Sequence, residues 1–404
     1  MSVLDCDVLV VGAGPAGSVA ALYCSRHGLK TVLIEKNTGI GQNASTRIDS
    51  SPDVGLTKIV KELDLKTENL VFTSKWYSPD GSSFTLHSKL GEYYFKRGPD
   101  PDSFECSTVN QAVKTGCMLL EGASIVAINR FNRGFEEVII AQGKERTAIK
   151  PKLIIAADGE KSLFHQYVTK QFINQNRVAY GVTGTAFGQV GISEIYFDAE
   201  LAPGGYFYHV TSPNGYSSAG IVINSNRMEH DLEHYFYAFV SKHSDILPCE
   251  IVSSSQKFTG ERRLFTLDQH YHENMLVAGD AAGVIDPLMV YGMMPAIVTG
   301  YFAGLYSVEA IKKGHYQELG NYEQNLRTFV IRRRNYIYTR LFESFDNKDF
   351  DSIIKLANDL GKRTNVDDLI NELSLRGLLQ ILTVLFGNLP SSCRLLARGL
   401  RALF

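Results

Sequence analysis

Hydrophobic and polar positions along the chain fall into three kinds of pattern. Near the N-terminus, Val8 to Val11 is an unbroken β-branched and apolar run, as expected of a strand buried on both faces. It opens "CDVLVVGAGPAGSVAALYCSRHGLKTVLIEK", which reads as strand, turn, helix, strand. The region from roughly 180 to 260 alternates instead and is rich in Tyr, Gly and Ser. Its "EIYFDAELAPGGYFYHVTSPNGYSSAGIVIN" predicts antiparallel strands with turns at Pro203-Gly204-Gly205 and Pro213-Asn214-Gly215. The third pattern is "DPLMVYGMMPAIVTGYFAGLYSVE", with twenty-two uncharged positions between Asp286 and Glu309, long enough to cross a hydrocarbon core. Pro287 and Gly292 read as a loop within it and leave too short a helix for a span, so a loop followed by a buried helix is expected. From about 320 the spacing is helical.

Chemistry enters at the first turn. Gly12, Gly14 and Gly17, with Ala13, Pro15 and Ala16 between them, have the GxGxxG spacing. Gly12 allows a tight turn, Gly14 lets a pyrophosphate approach the backbone, and Gly17 lets the helix pack closely on the strand. The helix N-terminus then presents free N–H groups and its positive dipole end to phosphates. The second strand, "TVLIEK", ends at Glu35, eighteen residues after Gly17, with Lys36 next. A carboxylate there accepts hydrogen bonds from ribose hydroxyls and argues against a 2′-phosphate, which favours FAD or NAD over NADP as the bound dinucleotide. Glycines serving only a tight turn are the bland alternative; the flanking strand, helix and terminal acid weigh against it.

Two further turns follow apolar strands: Asp158-Gly159 in "KLIIAADGEKS" and Gly279-Asp280 in "ENMLVAGDAAGVIDP". The order of the three motifs resembles the para-hydroxybenzoate hydroxylase-like flavoprotein superfamily, which includes aromatic hydroxylases, flavin-dependent halogenases and geranylgeranyl reductases. The resemblance implies FAD as cofactor, with Asp280 meeting the ribityl chain. It implies that the segment through Pro287, Gly292 and Met293 turns beside the isoalloxazine and enters a helix whose first amides face the N1–C2=O edge. Amides so placed stabilise negative charge on reduced flavin. Arg97 stands at a strand–helix junction in "YYFKRGPDPDSFECSTVNQAVKTGCMLLEGASI", where the family places an arginine near FAD. Here a Gly-Pro-Asp-Pro insertion precedes the helix, and a surface salt-bridge role is the alternative.

Within the superfamily, Pro203-Gly204-Gly205-Tyr206 before the short aromatic strand "YFYHV" resembles the geranylgeranyl reductase family. The likeness covers about 1–320, with departures: the family's Trp and Pro after that turn are absent. Its flavin-side cysteine loop reads "GIGQNASTRIDSS", with Arg47 near that place, and its "TGEG"-like turn is replaced by "MVYGMM". A halogenase W-x-W-x-I-P segment is excluded, because Trp76 is the single tryptophan. The resemblance implies reduction of isolated C=C bonds in an isoprenoid (geranylgeranyl) chain on a lipid or quinone. Hydride would come from flavin N5, and electrons from NAD(P)H or ferredoxin, the latter an electron-donor protein partner. An NAD(P)H-dependent flavin monooxygenase acting on an aromatic substrate remains a second reading. A non-catalytic electron-transfer flavoprotein is a third, and predicts no deep cavity. The catalytic and cavity-lining candidates are Tyr206, Tyr208, His209 and Tyr291. Side chains alternate along a strand, so Tyr206 and Tyr208 share one face and His209, the candidate proton donor, takes the other. Sheet packing for the tyrosines and a hydrogen-bonded scaffold role for the histidine are the bland alternatives.

Composition narrows the rest. A net charge of −2 over 404 residues argues against nucleic acid as a partner. The 22 Phe and 20 Tyr suit an apolar ligand cavity or a plain core. Six scattered cysteines, without a CxxC pair or metal spacing to a His, fit buried thiols in a reducing cytosol and no metal site. The tail "SLRGLLQILTVLFGNLPSSCRLLARGLRALF" has four arginines and no acid. It reads as a basic amphipathic surface for peripheral contact with anionic lipid, or as a helical subdomain closing the cavity. Location is thus expected to be cytoplasmic, with the membrane surface as a contact. The expected fold is α/β (α+β overall). A Rossmann-like FAD-binding domain is expected at 1–75, 96–175 and 260–320, an antiparallel β substrate domain at 76–95 and 176–259, and a helical region at 321–404.

Overall fold

Three glycine-and-aspartate turns that lie far apart in the chain open on one crevice, because strand register brings them level. A computed structural model describes residues 1–361, except 45, 54, 132–133, 186–190, 214, 245–251, 253–254, 288 and 330–338, together with residue 395. In chain order the strands are β1 (Ser2–Val11), β2 (Thr31–Ile34), β3 (Ile48–Pro52), β4 (Glu68–Tyr77), β5 (Ser83–Lys96), β6 (Met118–Leu120), β7 (Ala123–Phe131) and β8 (Gly134–Gln142). They continue with β9 (Glu145–Ala156), β10 (Lys170–Thr185), β11 (Ile192–Tyr196), β12 (Tyr206–Thr211), β13 (Tyr216–Asn224), β14 (Gln256–Leu267), β15 (Tyr271–His272) and β16 (Met275–Val277).

The first sheet has the order β15-β16-β9-β1-β2-β6, with β8 added on β9 and β7 on β8. From β16 to β6 every pair is parallel. Val11 stands opposite both Ile34 and Ala156, and Ala156 opposite Val277. The carboxyl ends of β1, β2, β9 and β16 are therefore aligned, and Gly12, Glu35, Asp158 and Gly279 follow them, the place where open parallel sheets bind ligands. The continuous apolar run is explained by the two faces of β1. Val8 and Val10 pack under helix α1 (Pro15–Arg26), while Leu9 and Val11 pack with Phe135, Val138 and Ile140 of β8.

The uncharged stretch becomes a loop and then helix α5 (Met293–Lys313); preceding it are α2 (Leu56–Leu63), α3 (Phe104–Lys114) and α4 (Leu232–Lys242). Its 21 residues rise roughly 30 Å, so the expectation of a helix too short to span corrects to one of sufficient length. Glu309, Lys312 and Lys313 charge its last turns, and its middle is pressed onto α1. A Cβ on Gly300 would fall 2.3 Å from the Ala16 carbonyl oxygen, and one on Gly304 2.7 Å from Tyr23 Cβ. No helix among the described residues is long and apolar enough to cross a membrane.

The second sheet runs β14-β10-β13-β12-β11-β4-β5-β3. It is antiparallel except where β11 runs parallel to β4, pairing Ile195 with Trp76. Its membership differs from the sequence boundaries: β3, all of β4 and the whole of β14 join this sheet, although 48–52, 68–75 and 260–267 were expected in the dinucleotide unit. One face is closed by α4, whose Phe236 and Phe239 pack on Tyr180, Phe207 and Ile221. Helices α6 (Leu319–Phe329) and α7 (Asn347–Gly361) begin the C-terminal region. Phe350 and Ile354 of α7 join Phe84, Phe197 and Tyr206 in an apolar cluster. The arginines 332–334, Cys249, Cys393 and nearly all of the basic tail lie outside the described residues. Cys6, Cys24, Cys106 and Cys117 are free thiols.

Candidate active site

A cavity of about 850 Å³ joins the crevice of the first sheet to the open face of the second, a size in the upper part of the range for small-molecule sites. At the dinucleotide end it is lined by Gly12, Ala13, Gly14, Pro15, Ala16, Glu35 and Lys36. Gly12 adopts φ 96°, and a Cβ there would lie 2.4 Å from the Ala157 carbonyl oxygen. Gly17 is not part of the lining; its hydrogen faces the Gly12 carbonyl, where a Cβ would stand at 1.9 Å. Gly14 differs, since a Cβ there meets no protein atom within 4 Å. It leaves an open cradle ahead of α1, whose first residue is Pro15. Glu35 accepts from the Ala13 N–H at 3.0 Å and from the Asn37 backbone and side chain at 2.9 and 2.7 Å. These bonds hold its carboxylate at the end of β2.

Asp158, Gly159, Gly279 and Asp280 line the middle. Asp158 accepts from the Leu163 N–H at 2.8 Å through Oδ2, while its enclosed Oδ1 has no partner. Burial pushes both Asp158 and Asp280 above the ordinary carboxylate range, opposed by Ser162 at the first and by Arg262 and Arg97 at the second. An open glycine cradle, a ribose-level acid and an orphaned acceptor fit a dinucleotide with a polyol chain such as FAD. Beyond them Tyr291, Gly292 and Met293 line the cavity at the N-terminus of α5. The loop before it is held under strain. Val290, β-branched, has φ 56°, a conformation such residues rarely adopt. It is fixed by its N–H on the Asp286 carbonyl at 3.0 Å and by the Asp286 N–H on the Tyr291 carbonyl at 3.2 Å. Pro287 stays out of the lining; its carbonyl accepts from Arg177 at 3.4 Å.

Arg97 lines the cavity at the strand–helix junction, and its salt bridges are interior ones: Nη1 to Asp49 at 3.0 Å and Nε to Glu105 at 2.5 Å. Burial works against its charge, but the two acids outweigh it and hold the guanidinium firmly protonated. Arg47 is a correction. Its Nε reaches Gln256 at 3.3 Å and its guanidinium covers Gly98, so the side chain is turned away from the lining.

The second sheet supplies the far wall. Trp76, Leu86, Ile195, Tyr206, Tyr208, Val222 and Phe258 face the cavity, interrupted by Ser74, Ser193, Ser218, Glu92 and Arg177. Tyr206 donates to the Met289 carbonyl, tying this wall to the strained loop. His209 lies on the opposite face, as alternation requires. It is buried and bonded to Glu194 through Nδ1 at 3.1 Å and to Thr211 through Nε2 at 3.1 Å. The proton-donor role considered for it is therefore corrected: no part of it lines the cavity.

Sequence reasoning missed Asp49, Glu92, Glu105 and Arg177. The available signal was a charge inside an otherwise apolar strand, as in "LGEYYF" and "NRVAYGV". Burial raises the Glu92 carboxyl from its ordinary 4.5 to about 8, with Ser50 and Tyr94 opposing and Asp49 adding. The sign of the linkage follows. Between 4.5 and about 8 the folded chain retains a proton that the unfolded chain has released, so this group makes stability fall as pH rises through that window. Urea unfolding across the window should show that decline reduced in Glu92→Gln relative to the unsubstituted protein.

The fold and the lining of the site have the features of a FAD-dependent oxidoreductase, and the comparisons with known proteins point the same way. Residues 7–170 match the family model described as FAD dependent oxidoreductase. The chain is similar to the digeranylgeranylglycerophospholipid reductase of Methanocaldococcus jannaschii, 28% identical over 380 residues that cover 90% of this chain and 92% of that one. A geranylgeranyl bacteriochlorophyll reductase-like protein of Thermoplasma acidophilum shares the fold with a TM-score of 0.79, at 23% identity over 98% of this chain and 100% of that one. A Pseudomonas aeruginosa protein described as a probable FAD-dependent monooxygenase is more distant, with a TM-score of 0.64 and 15% identity over 87% of this chain and all of the other. The resemblance to the geranylgeranyl reductases thus holds over nine-tenths of the chain.

Proposed function

We propose that the protein is a FAD-dependent reductase that saturates C=C bonds of an isoprenoid, geranylgeranyl-type chain carried on a lipid or quinone. One observation carries this reading: a single cavity passes from the dinucleotide turns to a chamber walled by Trp76, Leu86, Ile195, Tyr206, Tyr208, Val222 and Phe258. The relative from Methanocaldococcus jannaschii, named for a digeranylgeranyl lipid, supports that substrate class.

Ala13, Gly14 and Pro15 would hold the pyrophosphate, Glu35 the adenosine ribose, Asp158 and Asp280 the polyol chain, and Gly292 and Met293 the ring edge. When bound and reduced, the flavin supplies hydride at N5. An isolated alkene offers no carbonyl to polarise, so the chain's own part is orientation in a dry chamber and control of charge at the ring. Tyr206 fixes the loop from 286 to 292 against the chamber wall, and Arg97 keeps a positive charge beside Asp280. Electrons come from an external donor, NAD(P)H or ferredoxin, and contact with a lipid surface would admit the substrate.

Reoxidation of the reduced, FAD-loaded protein tests the assignment. Anaerobic addition of a geranylgeranyl lipid should oxidise the flavin and yield the saturated chain in proportion. Oxidation that requires dioxygen and a phenol, with a hydroxylated product, would replace this reading with a monooxygenase.

A further inference from the structure

We propose that Glu92 delivers the proton that completes reduction of the double bond. The inference rests on the reductase reading and adds the acid that reading lacks. Saturating an isolated alkene requires a hydride at one carbon and a proton at the other. The proton donor must face the chamber and carry an acidic hydrogen at neutral pH.

Among the described titratable side chains that the second sheet places on the chamber wall, the alternatives are bonded elsewhere or are weaker acids. Tyr206 gives its phenol hydrogen to the Met289 carbonyl. Burial pushes both Tyr206 and Tyr208 far above the ordinary phenol range, which makes them weak acids. Arg177 is bound to Glu343 at 2.8 Å, and His209 is on the other face of the sheet. Asp49 is bridged to Arg97 at 3.0 Å; burial raises its carboxyl, and the Arg97 charge opposes that rise.

Glu92 is different in three respects. It lines the cavity from β5. It is buried, and its enclosed Oε2 has no hydrogen-bond partner, an arrangement that costs stability and that a catalytic role would explain. Its place on the wall is also shared with β3, whose Ile48, Asp49 and Ser50 line the same cavity. Glu92 stands opposite Pro52 of β3 in the ladder and shares its face with Ser50 and Tyr94, whereas Ser51, which accepts the Met294 N–H of α5 at 3.3 Å, points to the other face. The acid and the chamber are thus neighbours, with the first turn of α5 on the other face of β3. The groups around Glu92 are Asp49 and Ser50 on β3 and Tyr94 on its own strand. Glu68 of β4 is paired with Tyr94, and Arg97 and Glu105 lie beyond Asp49. Their combined effect with burial is a carboxyl that is half protonated at about pH 8, near the optimum for a general acid working at neutral pH.

In the step, the π bond breaks and one carbon gains a C–H bond from the flavin hydride. The other carbon gains a C–H bond from the proton of Glu92, as the O–H bond breaks and a carboxylate remains. The flavin is oxidised by two electrons, the alkene is reduced by two, and solvent returns the proton to Glu92 before the next turnover.

The test uses the FAD-loaded protein and a geranylgeranyl lipid, with infrared spectroscopy as a second readout that needs neither substrate nor cofactor. Glu92→Gln should retain FAD yet slow single-turnover reduction of the lipid by about 100-fold, and Glu92→Asp should recover part of the rate. The unsubstituted protein should show a carboxylic-acid carbonyl band that titrates with a midpoint of about pH 8, and Glu92→Gln should lack it. A Glu92→Gln protein that reduces the lipid at the unsubstituted rate overturns the proposal and leaves the reductase reading intact, as does a missing band. If the unsubstituted protein cannot reduce the lipid, both ideas fall, and the infrared band then records only a buried acid.

Discussion

Arg177→Met is expected to destabilise the protein by about 3–5 kcal/mol, measured by urea unfolding, because it leaves the Glu343 carboxylate buried without its counter-charge. The two side chains are 1% and 7% exposed, with Nη2 2.8 Å from Oε1. The guanidinium also donates to the Gly204 carbonyl in the turn before β12 and to the Pro287 carbonyl at 3.4 Å. Asn224 adds a bond to Glu343 Oε1 at 2.8 Å. Burial pulls the Arg177 charge toward neutrality and Glu343 opposes it in part, as in an interior pair whose net contribution is small although either partner alone is costly. The double substitution Arg177→Met with Glu343→Leu should therefore recover most of the loss, short of about 1 kcal/mol for the Asn224 bond. Lipid-dependent flavin oxidation should not recover with it, since the links to Gly204 and Pro287 remain cut. If the double variant is as unstable as the single one, the pair is not the origin of the loss.

Arg177 also shows where the sequence was legible and where it was not. The dinucleotide crevice was readable because each part is local. A continuous apolar run must be a strand buried on both faces, and the glycine or aspartate turn at its end needs no distant partner to be recognised. Their convergence followed from parallel register, Val11 against Ile34 and Ala156. The second sheet was harder. Alternation correctly separated Tyr206 and Tyr208 from His209, but no local pattern says which strand pairs with which. β3, β4 and β14 were thus assigned to the wrong sheet or divided, and the parallel β11/β4 junction went unseen. The buried charges were invisible for the same reason. Arg177 and Glu343 are 166 positions apart in the sequence, and an arginine in an alternating strand reads as solvent-facing until its partner is in place. Only the mismatch of a single charge among apolar neighbours marked Glu92 and Arg177 as unusual.

Alanine at Gly17 and alanine at Gly14 should fail in opposite ways, although the two glycines belong to one motif. At Gly17 the new methyl would stand 1.9 Å from the Gly12 carbonyl oxygen and 3.3 Å from Ala157 Cβ. Helix α1 must then move off β1, with an expected loss of about 3 kcal/mol in urea unfolding; FAD retention should drop with the fold. At Gly14 the backbone has φ −70° and ψ −176°, open to any residue, and the methyl meets no protein atom. Stability should then change by about 0.5 kcal/mol or less. The methyl instead occupies the cradle ahead of Pro15, and FAD affinity, followed by flavin fluorescence during ultrafiltration, should weaken about 100-fold, or about 3 kcal/mol. A Gly14→Ala protein that holds FAD as tightly as the unsubstituted one would place the phosphates elsewhere, and the roles assigned to Glu35, Asp158 and Asp280 would have to be redrawn. The contrast isolates binding from folding within four residues of chain: one glycine is required by a neighbouring carbonyl, the other by a ligand.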